Sequence, residues 1–112
     1  MKRVVIEPPF AGSIWSRWRN RVYARRCLRD SCMLGEAPLA SHLLYTQCLD
    51  DGDPAERKIG SECGLVWGAL ADATVVYTDR GISSGMRLGI ERARAEGRPI
   101  EYRTLGHPHA GP

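Results

Sequence analysis

The sequence predicts an α/β fold: a small three-layer, flavodoxin-like or Rossmann-like fold around a four-stranded parallel sheet, in the order βαβαβαβ. Short β-branched runs, Arg3–Glu7 and Ala73–Tyr77, alternate with stretches of helical length. Capping and stop residues mark the joints: Ser13, Asp53-Pro54 and Ser84 at helix starts, Gly35 and Gly97 at helix ends. Strands separated by helices of this length return parallel to one another through right-handed crossovers. At 112 residues, 43% hydrophobic and 26% charged, the chain has the size and composition of one folded domain. We expect that domain over residues 1–106, with 107–112 as a flexible tail.

The first strand is Arg3–Glu7, ended by Pro8, Pro9 and Gly12. Ser13 caps a helix running to about Gly35, with Ala24, Cys27, Leu28 and Ser31 as its inward stripe. The many arginines of that helix form a solvated face. Leu39 to Thr46 reads as the second strand, carrying His42 and Tyr45. Asp53 caps a helix with Pro54 at its first position, running to about Leu70 and packing through Ile59, Cys63, Val66 and Leu70. Trp67 reads as a packing residue. Ala73–Tyr77 is the third strand. After a polar turn, Ser84 caps a helix from Gly85 to about Glu96, packing through Met86, Leu88, Ile90 and Ala93. Gly97 and Pro99 stop it, and Ile100 to Leu105 is the last strand.

Composition excludes several function classes. A net charge of +3 is too small for a nucleic-acid domain, so no nucleic-acid partner is expected. No apolar run reaches the ~18 residues of a membrane span. The opening Val4-Val5-Ile6 stops at Glu7-Pro8-Pro9, too short for a signal peptide, so a cytoplasmic location and no membrane partner are expected. Cys27, Cys32, Cys48 and Cys63 form no C-x-x-C pair and read as reduced, mostly buried thiols. We expect no metal and no cofactor; His107-Pro108-His109 reads as a polar end.

In open parallel sheets ligands gather outside the carboxyl ends of the strands, where the strand order switches. The segments concerned are Pro8–Gly12, Tyr45–Asp53 and Thr78–Gly85. In the last, Ser83, Ser84 and Gly85 offer hydroxyls and free N–H groups at a helix start, an anion seat. Asp79 is placed to accept from sugar hydroxyls; the alternative is a capped turn without a ligand. Neither a G-x-x-x-x-G-K-[ST] nor a G-x-G-x-x-G loop is present. Gly12 permits close approach of a ligand. Phe10 either stacks on a base or plugs the core edge, and Tyr45 is a second candidate to cover a base. Arg19 and Asn20, low on the first helix, are candidates to face the same cleft. Glu62 either pairs with Lys58 on the surface or aims into the cleft.

Taken together, Arg3–Glu7 with Pro8-Phe10-Ala11-Gly12, Arg19-Asn20, Ser41–Gln47, Gly64-Leu65-Val66-Trp67 and Val75–Asp79 through Gly81–Met86 resemble a family of small phage and actinobacterial proteins labelled nucleoside 2-deoxyribosyltransferase-like. The resemblance covers about residues 3–106. It implies a compact flavodoxin-like fold and a nucleoside or nucleotide site. Deoxyribosyltransferases carry a carboxylate nucleophile in a G-T-x-x-E-L-G pattern at the start of a helix. Here the stretch is Gly85-Met86-Arg87-Leu88-Gly89-Ile90-Glu91, which puts Gly89 or Arg87 at that position. Glu91 is the nearest carboxylate. Arg87 suits a phosphate rather than a developing oxocarbenium charge.

The sequence thus supports a nucleoside- or nucleotide-binding protein, with Phe10, Gly12, Arg19, Asn20, Tyr45, Asp79, Ser83, Ser84, Gly85 and Arg87 as ligand residues. A first alternative is an enzyme cleaving an N-glycosidic bond, a nucleoside hydrolase or deoxyribosyltransferase, with Glu62, Glu91 or Asp79 as its carboxylate. A second is a homo-oligomeric interaction protein using Trp15 and Trp18.

Overall fold

A computed structural model describes residues 1–7 and 14–106, with the backbone alone over 14–18. The elements are β1 (Arg3–Glu7), α1 (Ile14–Met33), β2 (Ala37–Leu39), α2 (Ser41–Leu44), a 3₁₀ turn (Tyr45–Gln47), α3 (Pro54–Gly68), β3 (Ala73–Tyr77), α4 (Ser84–Ala95) and β4 (Ile100–Arg103). The four strands form one sheet in the order β2-β1-β3-β4, every pairing parallel. This is the expected flavodoxin-like α/β architecture.

Alternation along the strands sorts side chains onto two faces. Val4 and Ile6 of β1 share one face with Ala73, Val75 and Tyr77 of β3, packed under Tyr23 and Cys27 of α1. Val76 faces the other way, against Met86 and Ile90 of α4. Val5 also lies on that second face, beside Gly68 of α3. The three layers are therefore α1, the sheet, and α3 with α4.

At the edge of the first face Arg103 is buried and bound to Glu36 (2.6 Å) and Glu101 (2.7 Å). Its neighbour Glu36 also accepts from Ser31 Oγ at 2.7 Å. The Arg103 guanidinium holds the Glu36 carboxyl below the usual carboxylate range. This pair ties the end of α1 and the start of β2 to the far strand β4.

Several expectations are corrected. The second strand is Ala37–Leu39, not Leu39–Thr46; the latter stretch forms α2 and the 3₁₀ turn, so His42 and Tyr45 are not on a strand. Edge position explains why Pro38 is tolerated in β2. The face of α3 carrying Ile59, Val66 and Leu70 points outward, each more than half exposed, as is Trp67. The inward face is instead the glycine row Gly60, Gly64 and Gly68, which lies against Tyr45 and Leu49, Ser41, and Val5 respectively. On α4, Leu88 is exposed and Gly89 is buried in its stead. Ser83 rather than Ser84 caps that helix. The last strand ends at Arg103. Of the cysteines only Cys27 is buried; Cys32 and Cys48 are exposed. All are free thiols, and burial pushes the Cys27 thiol up to about 12.

Candidate functional site

The second face of the sheet is not closed. Between α3 and α4 a cleft of about 310 Å³ reaches down to the sheet, with Val5 and Glu7 as its floor. That volume lies at the lower end of the roughly 300–1,000 Å³ typical of small-molecule sites. Arg57, Ser61 and Leu65 of α3 form one wall, with Ser41 and His42 of α2 and Asp51 beside them. Gly85, Met86 and Gly89 of α4, with Ser83 that caps it, form the opposite wall, and Arg98 closes the end. A smaller recess of about 60 Å³ continues past His42 to Tyr45 and Glu56.

The sequence builds this shape from glycines. A methyl group on Gly64 would come within 2.5 Å of Ser41 Oγ, so the glycine is what lets α2 lie against α3. A methyl group on Gly89 would land on the Glu7 carboxylate, so the glycine leaves the space that carboxylate occupies. Ser83 fixes the start of α4: its Oγ accepts from Met86 N at 3.2 Å, while Met86 Sδ accepts from Ser83 N at 3.3 Å.

Charge in the cleft is unusual. Burial pushes the Glu7 carboxyl up to about 7, although the nearby Arg98 guanidinium pulls it down. Arg98 is itself held by Glu96 at 2.6 Å and by Thr74 Oγ1 at 2.9 Å. Burial pushes the His42 imidazole down to about 4, so the ring is neutral at pH 7. On the α3 wall Asp51 and Arg57 approach at 3.9 Å. The cleft thus offers a carboxyl poised for proton exchange near neutrality, a neutral imidazole, hydroxyls and a cation.

Of the residues expected from the sequence, Ser83 and Gly85 line this cleft and Tyr45 lines the adjoining recess. Phe10 and Gly12 lie outside the described residues. Arg19 is exposed and Asn20 buried on α1, against the opposite face of the sheet. The Asp79 carboxylate accepts from Tyr23 Oη at 2.7 Å and from Leu105 N at 3.0 Å, a structural brace between α1, β3 and the chain after β4. Ser84 and Arg87 are exposed on α4 and do not line the cleft; neither do Glu62 on α3 and Glu91 on α4, both exposed. Glu62 forms no ion pair with Lys58 among the described residues.

Glu7, Arg57 and Arg98 are not among the residues expected from the sequence; Asp51 falls within the expected segment Tyr45–Asp53, and His42 was expected on a strand. A signal for Glu7 was present: in Arg3–Glu7 it shares parity with Val5, and a carboxylate closing a buried strand needs a reason. Among the described residues no cluster of His, Cys, Asp and Glu is arranged to hold a metal ion, and no helix is long and apolar enough to cross a membrane.

The fold has a counterpart among solved structures. A 2-deoxyribosyltransferase from the psychrotolerant bacterium Bacillus psychrosaccharolyticus superposes with a TM-score of 0.65 at 17% identity, over 91% of this chain and 72% of that one. At that identity the likeness establishes a shared fold. No curated protein matches the chain. A family model described as a domain of unknown function, DUF7768, matches residues 2–103, and the chain belongs to that family.

Proposed function

We propose that the cleft between α3 and α4 binds a nucleoside or nucleotide. The observation that carries this is its position. β1 and β3 are neighbours in the sheet, but the chain leaves β1 toward β2 on one side and β3 toward β4 on the other. The carboxyl end of β1, with Glu7, thus stands at the switch in strand order where open α/β sheets take their ligands. The lining supports a ligand that is part apolar and part polar. Val5, Leu65 and Met86 suit the face of a base, while Ser41, Ser61, Ser83 and neutral His42 suit sugar hydroxyls. Arg57, half-exposed on the α3 wall, suits a phosphate. Likeness to a fold that serves a nucleoside enzyme adds to this reading.

Thermal-shift titration against nucleosides and their monophosphates tests it. A ligand specific to the native state raises its stability, by about 2.7 kcal/mol at a hundredfold excess over Kd. Wild type is expected to be stabilised. Ser61→Phe, which fills the cleft from the exposed side of α3, is expected to lose that response while remaining folded. No stabilisation by any of these compounds at millimolar concentration would refute the proposal.

A further inference from the structure

We infer that Glu7 is the proton donor for hydrolysis of an N-glycosidic bond in this cleft, and that Gly89 is the position that admits its carboxyl group. The inference rests on the cleft taking a nucleoside or nucleotide, and it assigns the reaction and the reacting residue.

Two positions on different elements meet at the cleft. Glu7 closes β1 and, like Val5, turns its side chain to the face under α3 and α4. Gly89 lies in the middle of α4, buried, where any side chain would collide with the Glu7 carboxylate. A glycine inside a helix weakens it, so this one is explained by what it makes room for. The carboxylate reaches the cleft from the strand, beside the one turn of α4 that presents no side chain to it.

The surroundings leave that carboxyl available. No hydrogen bond from a described residue steadies its ionised form; burial and Arg98 are what act on it. Arg98 already serves Thr74 and Glu96. The other titratable groups facing the cleft are His42 from α2, Asp51 before α3 and Arg57 on α3. His42 is neutral, and Asp51 and Arg57 offset each other. The α4 wall contributes no titratable side chain to the cleft. A carboxyl left near half protonation at neutral pH is suited to general acid–base work.

The step balances without a cofactor. The C1′–N bond breaks, its electron pair stays on the base nitrogen, and that nitrogen takes the Glu7 proton. Water adds to the oxocarbenium carbon and its released proton returns to the Glu7 carboxylate. The products are free base and free sugar, or sugar phosphate.

The test incubates the full chain with nucleosides and nucleoside monophosphates, following free base by chromatography and ligand stabilisation by thermal shift in the same samples. Wild type is expected to release base, at a rate falling about tenfold per pH step above the Glu7 titration. Glu7→Gln is expected to lose at least about a hundredfold in rate while still being stabilised by ligand. Gly89→Ala, which displaces the carboxylate without removing it, is expected to lose rate and stay folded. Stabilisation without base release by wild type would overturn the inference and leave the binding reading standing. Base release undiminished in Glu7→Gln would overturn the assignment of the residue. Neither stabilisation nor release would refute the binding reading and the inference together.

Discussion

Replacing Glu7 by Gln is expected to stabilise the protein, and only at high pH. In the folded chain burial holds the Glu7 carboxyl up at about 7, against 4.5 for an ordinary glutamate. The folded state therefore keeps a proton that the unfolded state gives up between those two values. Stability must fall as pH rises through that interval and level off above it. At about 1.4 kcal/mol per pH step, the penalty at pH 8 is about 3 kcal/mol. Gln has the same shape and no charge, so the variant escapes the penalty. The assay is urea unfolding of both proteins from pH 4 to pH 8. The difference between them should be near zero at pH 4 and reach about 3 kcal/mol in favour of Glu7→Gln by pH 8, a Tm gain on the order of 10 °C. A difference that is flat with pH, or a variant less stable at pH 8, would refute the claim that the fold strains against this carboxylate. A buried carboxyl whose ionised form costs the fold stability is expected where function, not folding, calls for it.

His42 should show the opposite slope: its imidazole is pushed from 6.5 down to about 4, so stability falls as pH drops through that range. His42→Gln is expected to equal wild type at pH 8 and to exceed it by about 2 kcal/mol at pH 5 in the same urea series. Arg103→Met should cost about 3–5 kcal/mol in chemical unfolding, because it strands the Glu36 carboxylate beside the sheet edge. Gly64→Ala should destabilise by about 1–3 kcal/mol, since the new methyl meets Ser41 Oγ and Cβ. Adding Ser41→Gly removes both obstructing atoms, so a double-mutant cycle should return a favourable coupling; simple additivity would refute the steric account.

The legible parts of the fold were those where local and tertiary preferences agree. Ala73–Tyr77 is β-branched, wholly buried and flanked by polar turns, so pattern and outcome coincide. Asp53-Pro54 marks the start of α3 because the Asp53 carboxylate caps Ala55 N. β2 was misplaced because three edge residues carry too little periodicity to compete with the longer run Leu39–Thr46. There Thr46 Oγ1 donates to the His42 carbonyl and helps to hold a helical turn. On α3 and α4 apolar side chains suggested the wrong inward residues. What settles those faces is how near the helix must come to its neighbours, and Gly64 and Gly89, where a methyl group would clash, decide it. Strand order alone directs attention to the carboxyl end of β1, where the cleft has Glu7. It does not point to most members of the cleft, because Glu7 and Gly89 stand far apart in sequence and acquire meaning only from their apposition.

The two displaced titrations in the cleft are linked by one cause. Glu7 and His42 reach the same low-water space from β1 and α2, and each is driven toward its uncharged form there. Their effects on stability have opposite slopes over nearly the same pH range, so between about pH 4.5 and 6.5 they largely cancel. Wild type should therefore show little net pH dependence from this pair in that range, whereas each single variant exposes the slope of the other residue. Glu7→Gln should leave a stability that rises with pH, and His42→Gln one that falls. The double variant should lose both. If the single variants instead kept the flat profile of wild type, neither group would be strained by the cleft. The carboxyl that the proposed hydrolysis requires to be poised would then be an ordinary solvated glutamate.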